Sequence, residues 1–235
     1  MKKLVMFLCC MSLAGTAQAS SGVHLDSVDI DVADHESLQR GAKTYMNYCM
    51  GCHALGFMRY NRMAKDLALS EQAVIDNLMF PDAKIGGQMH IAMPKDKAKT
   101  WFGTLPPDLS LIARSRGVDW LYTYLRSFHR DDSRPMGVNN TVFKDVGMPH
   151  VLLPLQGQQA LIEKDGAHVL EQVSAGQLSV KEYDATIRDL VNFLAYVGEP
   201  GQLARKALGY KVILFLMGFF VLAYLLKKEY WKDIH

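Results

Sequence analysis

The chain has 235 residues, with 26 basic against 24 acidic side chains and a formal net charge of +2 when the histidines are neutral. So even a balance gives no electrostatic footprint for nucleic acid. Its four cysteines, two of them within the first ten residues, do not make a disulfide framework.

Met1 to Ala19 reads as a cleaved secretory signal. Lys2 and Lys3 give a positive start, Leu4 to Leu13 is an apolar run too short to span a bilayer, and Ala17-Gln18-Ala19 is a small-x-small cleavage site. Cys9 and Cys10 leave with it, so the exported chain keeps only Cys49 and Cys52. The segment that follows, residues 20–204, has the size of one domain.

Asp34 or Ser37 can cap a helix that carries Gly41, Tyr45 and Tyr48 at helical spacing into Cys49-Met50-Gly51-Cys52-His53. C-x-x-C-H is the pattern of covalent haem attachment. Two thiols on one turn reach the two vinyl groups of a porphyrin, and the adjacent histidine presents a ring nitrogen to the iron. A redox dithiol would follow a strand in a βαβ setting, and a structural zinc would need two more close ligands. The sequence offers neither. Gly41 costs about 1 kcal/mol relative to alanine inside a helix, which a close crossing by a second helix would explain. Tyr45 reads as a core tyrosine bordering the haem pocket.

Ser70 can cap a helix from Glu71 to Met79. Asp108 can cap another, through Leu111 and Arg114 to Gly117. Asp119 precedes a third, from Trp120 to Phe128, with Leu121, Tyr124, Leu125 and Phe128 on one face. Alternating, strand-like runs are few. Ser179-Val180-Lys181-Glu182 is a capping box that opens a helix from about Val180 to Val197. Its apolar stripe is Ile187, Leu190, Val191, Leu194 and Val197, and Gly198 and Pro200 stop it. This is the expected partner of Gly41. The reading is a mainly α fold: a class I cytochrome c-like haem domain with long loops, plus one C-terminal transmembrane helix.

A thioether as second axial ligand stabilises ferrous iron. Of the methionines after His53, Met58 and Met63 are too close to the motif, Met79 sits on a helix face and Met217 is in the apolar tail. Met89, Met93, Met136 and Met148 remain, all in loop-like sequence.

Leu208 to Leu226 carries a single charge, Lys211, near its start. At about 1.5 Å per residue it matches the thickness of a hydrocarbon core. Residues 205–228 are therefore read as a membrane anchor, with Tyr224, Tyr230 and Trp231 as interface aromatics. Basic residues flank both ends, so the signal sets the orientation: domain outside, residues 229–235 in the cytoplasm.

The order of motifs resembles the cytochrome c1 family, in a compact bacterial form. The matching pieces are Arg40-Gly41, Tyr45 and Cys49 to His53; Pro106-Pro107-Asp108-Leu109-Ser110 with Ile112-Ala113-Arg114-Ser115-Arg116; Gly147-Met148-Pro149; and Phe193-Leu194 to Glu199-Pro200 running into the anchor. The resemblance implies one covalent haem c on Cys49 and Cys52, with His53 and Met148 as axial ligands. It also implies a carbonyl at Pro106-Pro107 as partner for the His53 ring, and Arg116, then Arg114, as haem propionate donors. The implied function is electron transfer in a quinol–cytochrome c reductase (bc1) complex. The implied donor is the Rieske iron–sulfur protein and the acceptor a soluble or membrane-tethered cytochrome c. Quinol chemistry would belong to the cytochrome b subunit, in a dimeric assembly of the bacterial inner membrane.

Overall fold

The computed structural model describes residues 23–80, 83–164 and 166–234; the predicted signal segment lies outside them. Two long helices form the centre: α1 (His35–Tyr48) and α8 (Val180–Gly198). Asp34 caps the first through its carboxylate and the Ser37 N–H, and Ser179 and Glu182 form the expected capping box on the second.

These two helices cross at Gly41. A Cβ added there would lie 2.1 Å from the Asp189 carbonyl oxygen and 2.7 Å from the Phe193 Cβ, so only glycine permits the approach. Around the crossing, Leu38, Ala42, Tyr45, Ile187, Leu190, Phe193 and Leu194 are buried in one core. The Asp189 carboxylate is also buried there and is matched. Arg40 Nε lies 2.6 Å from one oxygen, and the Ser37 hydroxyl donates to the other at 2.7 Å.

Shorter elements fill the span between them. In order they are β1 (Leu55–Arg59), α2 (Tyr60–Asp66), α3 (Glu71–Leu78), β2 (Gln88–Met89), α4 (Lys95–Phe102), α5 (Ile112–Arg116), α6 (Val118–Arg126), β3 (Phe128–Arg130), β4 (Val138–Asn140) and α7 (Leu153–Gln156). β1 pairs with β2 and β3 with β4, both antiparallel.

Three local expectations need correction. Asp108 caps no helix. Its carboxylate accepts instead from the Ser110 N–H at 2.7 Å and the Gly56 N–H at 2.8 Å, and α5 starts only at Ile112. α6 runs from Val118 to Arg126, so Asp119 sits inside its first turn; its carboxylate accepts from the Val28 N–H at 2.8 Å, tying down the N-terminal segment. Beyond the helices and loops there is also a hairpin, β5 (Gly157–Lys164) with β6 (Ala167–Ala175). Its root is fixed by Gln159 Nε2, which donates to the carbonyls of Arg126 and Phe128.

α9 (Gln202–Tyr230) follows α8 after a short break at Glu199-Pro200-Gly201. It spans 29 residues, with a mean hydropathy of 2.0 in its most apolar window and no residue buried against the domain. At about 1.5 Å per residue it measures about 43 Å, enough to cross a hydrocarbon core and enter both interfaces.

Candidate functional site

Cys49 is the last residue of α1 in hydrogen-bonding terms, its N–H donating to the Tyr45 carbonyl at 2.8 Å. The chain then turns on itself: the N–H groups of Cys52 and His53 both donate to the Cys49 carbonyl, at 3.0 and 2.9 Å. The motif is therefore a rigid turn closing a helix that the Gly41 crossing already holds. Tyr45 is wholly buried and donates its hydroxyl to the His53 carbonyl. It braces the motif from the core side and does not line the cleft.

The next contacts orient the imidazole. His53 Nδ1 lies 2.7 Å from the Pro107 carbonyl oxygen, which can only accept, so that nitrogen carries the proton. Burial lowers the His53 pKa, against the opposing pull of the Pro107 bond and Asp108. A neutral ring protonated at Nδ1 leaves the Nε2 lone pair for a metal. The Pro107 loop is itself stitched to the strand after the motif. Leu109 N–H donates to the Ala54 carbonyl at 2.9 Å, Gly56 N–H to Asp108, and Phe57 N–H to Ser110 Oγ at 3.1 Å.

Met148 arrives from the loop between β4 and α7. In one cleft it joins Cys49, Cys52 and His53, together with Pro106, Pro107, Gly147 and Pro149. Tyr48, Phe102, Thr104 and Val151 complete the lining. Gly147 lets the loop pass close to the segment just after α4: a Cβ there would meet Thr104 Cγ2 at 3.2 Å. Tyr124 on α6 donates its hydroxyl to the Met148 sulfur at 3.4 Å. Burial raises the Tyr124 pKa, so the phenol is a protonated donor at neutral pH.

The other methionines are placed elsewhere. Met89 is buried in β2 opposite Leu55, Met93 lines an adjoining cavity that shares Cys52, Pro106 and Pro107 with the cleft, and Met136 lines neither. Neither arginine lines the cleft. Arg114 Nη1 is bound to Glu199 at 2.7 Å, and Arg116 lies over the Trp120 ring, 5.2 Å from its centroid.

The donor set is two thiols on one turn, an imidazole with a free Nε2 and a thioether, in a mostly apolar cleft. It fits haem c. Burial pushes the Cys49 thiol up to about 12, opposite to the shift that activates a cysteine. The sequence missed Tyr48, Phe102, Thr104, Val151 and Tyr124. Of these only Tyr48 and Tyr124 carried a signal, as aromatic members of helical faces.

Fold and cleft thus define a helical domain followed by one long apolar helix among the described residues, with imidazole, thioether and paired thiols converging on one apolar site. The sequence profile of the Cytochrome C1 family matches residues 28–234. A cytochrome c1 of Allochromatium vinosum is 53 % identical, and a protein of Nitrosomonas europaea named ammonia monooxygenase gamma subunit is 49 % identical, each alignment covering 100 % of both chains. A chain of a hyperthermophilic respiratory Complex III overlays with a TM-score of 0.48 at 13 % identity, covering 100 % of this chain and 98 % of that one. The chain belongs to the cytochrome c1 family. It is an electron-transfer subunit of the bc1 complex, membrane-anchored, and the family implies a haem c cofactor.

Proposed function

We propose that this chain carries one haem c, bonded through Cys49 and Cys52, with His53 and Met148 as axial ligands. Electrons would enter from the Rieske iron–sulfur protein and leave to a cytochrome c acceptor. In the same reading residues 1–19 are removed on export, 20–204 lie in the periplasm, 205–228 span the inner membrane and 229–235 reach the cytoplasm. The cytochrome b subunit would be the neighbour in the bilayer. The observation that carries this is the cleft in which Met148, from a loop almost a hundred residues downstream, joins the C-x-x-C-H turn.

Haem c supplies a one-electron couple whose potential follows its axial ligands and surroundings. The chain's part is to hold ligands still so that little rearranges when the charge changes. Pro107 fixes the His53 ring, Tyr45 fixes the His53 backbone, and the α1–α8 crossing fixes the turn that bears both thiols. The Met148 thioether is neutral and soft, which favours the reduced state. Arg114 is engaged by Glu199 and Arg116 lies over the Trp120 ring, so neither supports a propionate contact.

The test is tagged purification from mild-detergent membranes, with a haem stain of the separated chains and reduced-minus-oxidised spectra. Covalent haem on this chain with b-type haem and a Rieske protein alongside is the expected result. Covalent haem with no such partners, or with the monooxygenase for which the Nitrosomonas relative is named, overturns the proposed donor and acceptor.

A further inference from the structure

The segment that ends α4 and the methionine loop meet beside the cleft. A Cβ on Gly147 would lie 3.2 Å from Thr104 Cγ2 and 3.7 Å from the Phe102 carbonyl oxygen, and all three residues line the cleft. Exposed apolar side chains flank this seam. Trp101 is 58 % exposed, although tryptophan is usually well buried, and Leu105 and Phe143 are exposed with it. Phe143 meets Trp120 edge-on at 6.4 Å and 74°.

The charges around these side chains are basic. Ala98 is the buried residue of α4, so Lys97 and Lys99 on either side of it face solvent, and exposed Lys144 follows Phe143. Arg116 adds a guanidinium over the Trp120 ring. Segments 94–105 and 141–149 hold two carboxylates. Asp145 is paired with Arg134 at 3.1 Å, and Asp96 sits in the first turn of α4, where the helix dipole favours it. Among the described residues, Lys97, Lys99 and Lys144 have no ion-pair partner. The chain as a whole is nearly balanced, so the sign of this face is local.

We propose that this face docks the electron acceptor and that the acceptor presents an acidic surface to it. Trp101, Leu105 and Phe143 form the apolar centre of the contact, and Lys97, Lys99 and Lys144 its basic rim. The inference rests on the reading of the chain as donor to a cytochrome c and adds the charge of that partner. An apolar centre within a polar rim is the anatomy of a protein interface, and aromatic residues are enriched in its core. Electron transfer needs close approach, and the seam brings a partner against the wall of the cleft. A carrier that must arrive and leave gains most from charge, which raises the rate of encounter more than the strength of the complex. A donor held in the same assembly gains little, because tethering already keeps it at high effective concentration. The competing account is a solvated lysine face with no partner.

The experiment uses the detergent-purified, full-length holoprotein and two soluble probes, a cytochrome c of acidic surface and one of basic surface. Equilibrium binding to each immobilised probe and the second-order rate of its reduction are measured at rising salt. The wild type should bind and reduce the acidic probe faster, with both quantities falling as salt screens the charges. The triple variant Lys97→Gln, Lys99→Gln, Lys144→Gln should lose about tenfold in both at low salt and converge with wild type at high salt. Its covalent haem and spectrum should be unchanged. Trp101→Ala should weaken binding at every salt concentration. A triple variant that matches wild type toward the acidic probe at low salt, or a wild type that prefers the basic probe, overturns the proposal. Slower reduction of this haem by quinol in the purified complex, with acceptor rates unchanged, gives the face to the donor and overturns it too. Reduction of neither probe by a protein with intact haem overturns the reading of the chain as donor to a cytochrome c, and the inference with it.

Discussion

Asp108 shows how one side chain can fix a site without touching its chemistry. Its carboxylate accepts from two buried N–H groups, those of Gly56 and Ser110, and so joins the segment after the motif to the loop that offers the Pro107 carbonyl to His53. Burial alone would raise its pKa, but the hydrogen bonds from Ser110 and Gly56, helped by His90, outweigh this and hold it below the usual value. A depressed carboxylate stabilises the fold above its unfolded pKa of about 3.9 and loses that contribution as the pH falls through the folded value. Asp108→Ala would orphan both buried donors and should cost about 1–3 kcal/mol at pH 7. Thermal melts from about pH 5 down to pH 3 should show the gap to wild type narrowing, as the native carboxylate takes up its proton. A gap that stays constant would mean the side chain acts through packing alone. At this scale the sequence was legible where spacing is short. C-x-x-C-H declares itself in five residues, whereas the bond from Tyr124 to Met148 joins positions 24 apart whose meeting depends on a loop folding back over α6.

At the scale of elements, the helices with complete signals were readable and those without were not. Ser179 and Glu182 set the start of α8, and Gly41 announced a close crossing that the structure places against Asp189 and Phe193. Gly41→Ala should therefore force the two helices apart. The expected loss is about 1–3 kcal/mol from overpacking, more than the small gain that alanine brings within a helix. Because the motif hangs from the end of α1, the variant should also show weaker haem staining per chain at equal expression. Wild-type stability would mean the crossing can relax, and that the glycine is not what sets it. The Asp108 start failed because the carboxylate found better partners in Gly56 and Ser110 than a free helix end. The hairpin of β5 and β6 was missed although Asp165-Gly166 is a strong turn signal, with Gly166 at φ +77°. Most of β6 is exposed, so its residues alternate only weakly between apolar and polar. Tertiary anchors at Arg126 and Phe128, invisible in local sequence, hold its root.

For the whole molecule the question is how far the domain depends on its anchor. No residue of α9 is buried, so its removal uncovers none of the core around the α1–α8 crossing. The join is made by charge instead. Glu199 accepts from Arg114 on α5 and from Arg205 in the first turns of α9, with Arg205 Nη2 at 3.1 Å. The Arg205 pair, then Arg114, holds the Glu199 carboxyl below the usual glutamate range, but an exposed pair of this kind adds little to stability. A chain ending after Gly201 keeps α8, Glu199 and its bond to Arg114. It should be exported as a soluble domain with covalent haem, and with a reduced spectrum matching that of the anchored chain. Its potential should match as well, since the proposed ligands His53 and Met148 lie wholly within the domain. What it should lose is retention, passing into the soluble fraction and no longer purifying with b-type haem. A truncated chain that aggregates without haem would show that α9 contributes to folding the domain. One that stays with the membrane complex would shift the main docking contacts from the anchor to the domain surface.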